Sequence, residues 1–154
     1  MTSLCCDVLN ALQGKTLATA ESCTGGMIGA ALTAVPGSSA VYKGGVISYT
    51  NQIKEKLLQV DPALLNNDGA VSKSVAKAMA QGAKNALSAS IAISVTGLAG
   101  PGGDEFGNPV GTVFIGFADE ERCFAEQFCF EGSRQQVRQQ AAESALRLLL
   151  RELK

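Results

Sequence analysis

The sequence predicts an α/β protein: a single three-layer α/β/α domain over residues 1–154, with a mixed, mostly parallel sheet and a late β-hairpin. Three observations predict it. Compact apolar stretches alternate with helix-patterned ones early in the chain. Two of those stretches, ending at Ala20 and Val95, run directly into polar glycine-rich loops. Near the end, Val110–Ala118 and Arg122–Phe130 flank Asp119-Glu120-Glu121 in the manner of a β-hairpin. In open α/β sheets ligands sit at the carboxyl ends of the parallel strands. If the strands ending at Ala20 and Val95 are neighbours, their two loops face each other across one cleft.

Taken in order, residues 3–13 carry Leu4, Val8, Leu9 and Leu12 at helical spacing, with Gly14 ending the helix. Thr16–Ala20 is short, apolar and β-branched, and reads as a buried strand. The polar turn Glu21-Ser22-Cys23-Thr24-Gly25-Gly26 follows, then a helix carrying Met27, Ile28, Ala30, Ala31 and Leu32 that stops before Pro36-Gly37. Val41–Tyr49 reads as a strand, bulged or bent at Gly44-Gly45. Thr50 or Asn51 caps a short helix over Gln52–Leu58, with Ile53, Leu57 and Leu58 on one side. Asp61-Pro62 opens a turn or short helix, and Asn66–Gly69 reads as loop. Ser72 caps a helix over Lys73–Leu87 whose buried stripe takes in Val75, Met79, Ala83 and Leu87. Ser90–Val95 is a second buried strand, and the loop from Thr96 continues to Pro109. Gly132-Ser133 caps a last helix, Arg134–Glu152, with Val137, Ala141, Ala145, Leu148 and Leu149 inward.

Composition narrows the function. Apolar residues make up 46% and charged residues 18%, which is a globular balance. Net charge is −1 with no cluster of lysine or arginine, so neither nucleic acid nor an anionic membrane is expected as a partner. The start lacks a basic segment followed by an apolar run, so no secretory signal is expected. Five cysteines with no C-x-x-C pair fit a reducing, cytoplasmic setting. The chain has no histidine. Ser-His-Asp and Cys-His catalysis and histidine zinc sites are therefore excluded, and acid–base chemistry near neutral pH falls to lysine, carboxylate, tyrosine or a terminal amine.

With histidine gone, serine paired with lysine is the leading nucleophile–base arrangement. Ser22 stands where the backbone turns from strand to helix, near the N–H groups of Thr24, Gly25 and Gly26, which can serve an oxyanion or a phosphate. Lys54 follows the next strand at the same end of the sheet, behind Tyr49-Thr50-Asn51. A lysine base needs its pKa lowered from about 10.4 towards 7–8, on the order of 4 kcal/mol for three units. The plainer alternatives are that Ser22 only caps the helix and that Lys54 is a solvated lysine. Cys23 without a histidine reads as a small buried thiol. Ser74-Val75-Ala76-Lys77 matches the S-x-x-K pattern of penicillin-recognising enzymes, but nothing like their other motifs accompanies it. Arg134 and Arg138, one helical turn apart, either clamp a carboxylate or phosphate or are exposed helix charges.

Several segments, in this order, carry a resemblance: Glu21–Gly26, Pro36-Gly37-Ser38-Ser39, Gly45-Val46 through Tyr49 and Lys54, Gly69-Ala70-Val71-Ser72, Thr96-Gly97-Leu98-Ala99-Gly100-Pro101-Gly102-Gly103, Pro109–Val113 and Arg134–Arg138. Together they resemble the CinA C-terminal domain family, which includes nicotinamide mononucleotide deamidase. The resemblance runs from about Leu4 to Leu150. It departs in small ways, with Leu98 where isoleucine is commoner and no room for the larger N-terminal domain of some relatives. It implies an amidohydrolase that converts nicotinamide mononucleotide to nicotinate mononucleotide and ammonia in pyridine nucleotide salvage, with no cofactor or metal and with a homodimer as the assembly. It implies catalytic roles for Ser22, Lys54, Tyr49 and Thr96. The substrate-binding set is then Thr24, Gly25, Gly26, Gly97, Ala99, Gly100, Arg134 and Arg138. Some family members keep the fold with little deamidase activity, so a non-catalytic nucleotide-binding or regulatory module is the alternative expectation, and an amidase for a small amide lacking phosphate is a further one.

Overall fold

A computed structural model describes residues 1–154. Its elements are α1 (Thr2–Leu12), β1 (Leu17–Glu21), α2 (Met27–Thr33), a 3₁₀ turn at Ser38–Ala40, β2 (Tyr42–Ile47), α3 (Asn51–Leu58), α4 (Pro62–Asn67), α5 (Lys73–Ala86), β3 (Ile91–Gly97), β4 (Thr112–Ala118), β5 (Cys123–Cys129) and α6 (Arg134–Leu153). The five strands form one sheet in the order β2-β1-β3-β4-β5. β1 pairs parallel with both β2 and β3, β4 runs antiparallel to β3, and β5 returns antiparallel to β4. Four strands therefore point the same way.

Two apolar clusters cover the two faces and make the three layers. On one face α1, α2 and α6 bring Val8, Leu12, Ile28, Val137, Leu146 and Leu149 onto Leu17, Ile93 and Ile115. On the other, α3, α4 and α5 bring Leu58, Leu65, Val75, Met79 and Ala83 onto Ala18, Ala20 and Ala92. Both β1 and β4 are buried along their whole length, as expected of strands covered on both sides. No helix is long and apolar enough to cross a membrane, and all five cysteines are free.

Side-chain caps set the helix starts. The Thr50 hydroxyl accepts from Ile53 N–H, Asp61 from Ala63 N–H and Ser72 from Val75 N–H. Ser133 and Gln136 exchange bonds in a capping box. Two glycines permit close approach. A Cβ at Gly82 would collide with the Leu58 carbonyl, and one at Gly116 with the Ala76 carbonyl. These contacts seat α5 against the end of α3 and against β4.

Several boundaries differ from the sequence expectation. The register of β2 slips opposite Leu17 and Ala18, where Lys43 is passed over, so the bulge lies just before the glycine pair. Asn66 and Asn67 complete α4 because the Asp61 cap starts a helix long enough to include them. Thr96 and Gly97 belong to β3, paired with Phe114 and Val113, and do not head the loop. In α3 the inward residues are Lys54 and Leu58, while Leu57 is 47% exposed.

The topology aligns the carboxyl ends of β2, β1 and β3. Glu21 pairs with Ile47 on one side and Val95 on the other. Just beyond, Ser48 N–H donates to the Glu21 carbonyl (2.8 Å) and Ser22 N–H to the Val95 carbonyl (3.0 Å). The three segments leaving these strand ends are thereby stitched together, and they enclose the candidate site.

Candidate active site

Ser22 is the first residue past β1, and Lys54 projects inward from the first turn of α3. Lys54 Nζ donates to Ser22 Oγ at 3.0 Å and to the Ser48 carbonyl at 2.8 Å. The lysine is 1% exposed and Ser22 8%, and no carboxylate forms a salt bridge with Lys54. An ammonium held inside without a counter-charge is disfavoured, and this burial lowers the Lys54 pKa from 10.5 to about 8. A neutral Lys54 keeps one N–H for the Ser48 carbonyl and turns its lone pair to the Ser22 hydroxyl, which suits a base at near-neutral pH. Ser48 Oγ, wholly buried beside this pair, has no hydrogen-bond partner. Burial pushes the Cys23 thiol up to about 11, so it stays protonated and is the poorer nucleophile.

The turn after Ser22 differs from the expectation. The Glu21 side chain folds back onto it and is 2% exposed. Its carboxylate accepts from the Thr24 hydroxyl (2.7 Å) and from the N–H groups of Gly26 (3.2 Å), Ile28 (2.9 Å) and Gly29 (3.0 Å). The start of α2 therefore already holds an anion, the protein's own. Gly25 N–H is spent on the Ser22 carbonyl (3.1 Å). Thr24, Gly25 and Gly26 line no part of the cleft, contrary to the sequence reading. The N–H groups of Cys23 and Thr24 alone in this turn donate to no other residue.

Arg138 is corrected in the same way. Its Nε donates to the Cys23 carbonyl (2.9 Å) and an Nη to the Thr24 carbonyl (3.4 Å), with the other Nη on Gln135 (2.9 Å). It braces the back of the turn and does not reach the cleft. Arg134, one turn earlier on α6, does line it. One Nη donates to the Gly100 carbonyl (2.5 Å) and the other to the Tyr49 hydroxyl (3.0 Å).

The cleft has a volume of about 310 Å³. Ser22, Cys23 and Lys54 form one end, Tyr49 and Asn51 one wall, and Thr96, Gly97, Leu98, Ala99, Gly100 and Gly102 the opposite wall. Ala70 and Val71 close it below, and Arg134 lies at the rim. Thr96 is buried and its hydroxyl donates to the Ala70 carbonyl (2.8 Å), tying the wall to the floor. Among the lining residues, Cys23, Asn51, Ala70, Val71, Leu98 and Gly102 carry no role in the sequence reading, although Ala70 and Val71 stand in the Gly69–Ser72 motif. A larger cavity of about 400 Å³ lies near Lys15, Ser90 and Asp119–Arg122. There Asp119 is bonded to Arg122 and Ser90 to Thr16, which leaves no activated nucleophile. The S-x-x-K match is also unused, because Ser74 donates to Asp68 (2.6 Å) and Lys77 is exposed.

Residues 2–153 match the family described as the CinA C-terminal domain. A CinA-like protein of Geobacter sp. (strain M21) is 53% identical over 125 residues, 81% of this chain and 30% of that protein. A CinA-like protein of Synechococcus sp. (strain CC9902) is 50% identical over 143 residues, 91% of this chain and 34% of that protein. The chain thus spans about a third of the length of the curated relatives it matches. A competence-damaged protein (CinA) superfamily crystal structure from Klebsiella pneumoniae 700603 is similar with a TM-score of 0.96 and 36% identity, covering 99% of this chain and 96% of that one. The competence/damage inducible protein CihA from Agrobacterium tumefaciens gives 0.95 and 35%, covering 99% and 95%.

Proposed function

The chain belongs to the CinA C-terminal domain family, and from that premise we propose that it is an amidohydrolase converting nicotinamide mononucleotide to nicotinate mononucleotide and ammonia. The observation that carries the reading is the 3.0 Å contact between Ser22 Oγ and a buried Lys54 without a counter-charge, at the end of a cleft. In this reading Ser22 Oγ attacks the carboxamide carbon while Lys54 Nζ takes the hydroxyl proton. The tetrahedral oxyanion is met by the Cys23 N–H, which donates to no other residue and belongs to the cleft lining. Lys54 then passes the proton to the departing nitrogen, the C–N bond breaks, and ammonia leaves a nicotinoyl ester on Ser22. Water attacks that ester, Lys54 takes the water proton and returns it to Ser22, and the carboxylate product is released.

The remaining roles follow from position. Arg134 is the cation at the rim, available to a phosphate, with Tyr49 and the Gly97–Gly100 wall flanking it. Thr96 acts by holding the wall to the Ala70 carbonyl. Five free thiols suit a reducing cytoplasm. The test is incubation of the 154-residue chain with nicotinamide mononucleotide, followed by proton NMR. Appearance of nicotinate mononucleotide with equimolar ammonia is the expected result. Saturable binding without product, in folded protein, overturns the enzymatic reading and assigns a non-catalytic nucleotide-binding module.

A further inference from the structure

A buried carboxylate normally finds a lysine or arginine, and Glu21 has neither in a salt bridge. Its charge is met instead by four donors taken from the eight residues that follow it: the Thr24 hydroxyl and the N–H groups of Gly26, Ile28 and Gly29. Oε1 accepts three of these bonds and Oε2 the fourth. Its own carbonyl accepts from Ser48 N–H. Ser48 in turn offers its carbonyl to Lys54 Nζ. One residue therefore connects the nucleophile's turn, the start of α2 and the strand end that holds the base.

We propose that Glu21 is a positioning residue for Ser22, an internal anion that winds the Ser22–Gly25 turn around itself and leaves only the Cys23 and Thr24 N–H groups free. This rests on the Ser22/Lys54 reading above. Charge and shape both matter. Glutamine at this position has the same outline but one acceptor oxygen, and its amide nitrogen must face either Gly29 N–H or the group of Thr24, Gly26 and Ile28. Donor then opposes donor, and the turn loosens on one side. From behind, Arg138 holds only the Cys23 and Thr24 carbonyls, so it cannot replace bonds lost at Gly26, Ile28 or Gly29.

The test uses E21Q and T24V in the full chain, with two readouts. The first is the rate at which a fluorophosphonate labels Ser22, read by intact mass and independent of the natural substrate. The second is kcat and KM on nicotinamide mononucleotide. E21Q is expected to slow labelling and lower kcat by on the order of 10–100-fold, as misplaced reacting groups do, with KM unchanged. The pH midpoint set by Lys54 stays where it is, which separates misplacement of Ser22 from disturbance of the base. Wild-type labelling and kcat in E21Q overturn the proposal. If E21Q does not fold, T24V decides: it keeps the side-chain outline, removes one of the four bonds and is expected to slow labelling, and a wild-type labelling rate overturns the proposal. Wild-type protein that labels at Ser22 but releases no ammonia defeats the substrate reading while the labelling comparison still decides the role of Glu21. Wild-type protein that does not label overturns both.

Discussion

The Arg134 guanidinium and the Tyr49 hydroxyl meet at 3.0 Å across the mouth of the cleft, joining the first turn of α6 to the segment that leads into α3. The same guanidinium reaches the Gly100 carbonyl on the opposite wall. Both contacts are exposed and neither partner is charged, so an arriving phosphate offers Arg134 a better acceptor than either.

Replacing Arg134 by glutamine is therefore expected to raise KM for the nucleotide by on the order of 10–100-fold, the worth of a charged hydrogen bond, with a smaller effect on kcat. Steady-state kinetics check this. An unmoved KM removes the phosphate role from Arg134 and favours a small amide substrate lacking phosphate.

The pH profile follows from the base. Burial sets the Lys54 pKa at about 8, so only about one chain in a hundred carries the neutral amine at pH 6 and half do at pH 8. The value of kcat/KM is expected to rise about tenfold per unit through this range and to level above about pH 8. K54R, whose guanidinium stays charged, is expected to lose both activity and the rising limb. A wild-type profile that is flat from pH 6 to 9 contradicts the assignment.

The same burial makes a stability prediction with a definite sign. Lys54 titrates at about 8 in the folded chain and at 10.5 otherwise. Between those values the unfolded chain binds more protons, so stability rises with pH across that window and is lost as pH falls through it. Below pH 8 the penalty is present in full, on the order of 3 kcal/mol at 1.36 kcal/mol per unit. K54M relieves it but leaves the Ser48 carbonyl without its donor, for a net gain of about 1–2 kcal/mol at pH 7. Urea unfolding at pH 7 and pH 10 checks this, since the gain shrinks at the higher pH. K54M less stable than wild type at pH 7 contradicts it.

Much of the fold was legible because its signals are local. Ser72 is a capping residue read directly from its neighbours, and the pairs Thr50-Asn51 and Gly132-Ser133 each contain the residue that caps, Thr50 and Ser133. The inward stripe of α6 follows from spacing, with Val137, Ala141, Ala145, Leu148 and Leu149 all buried. The direction of Glu21 was not legible. Every residue of β1 is buried, so no alternation tells which face a side chain takes. A hydroxyl- and glycine-rich turn reads the same whether its N–H groups face a ligand or the preceding carboxylate. Arg134 and Arg138 looked equivalent by spacing, and only the packing of α6 on the turn separates the rim cation from the brace. Leu57, expected on the inward side of α3, is exposed for a related reason. An eight-residue helix leaves its inward side to be set by what it docks against, here Ser22 and the strand end at Ser48.

In the proposed mechanism Ser22 and Lys54 act together as nucleophile and base. Ammonia release from nicotinamide mononucleotide by wild type, S22A, K54A and the double variant, measured side by side at pH 8, tests it most directly. Each single variant is expected to lose at least about a thousandfold in kcat, and the double to lose little more, as groups acting as one unit do. Turnover within about threefold of wild type in either single variant, in protein shown to be folded, contradicts it.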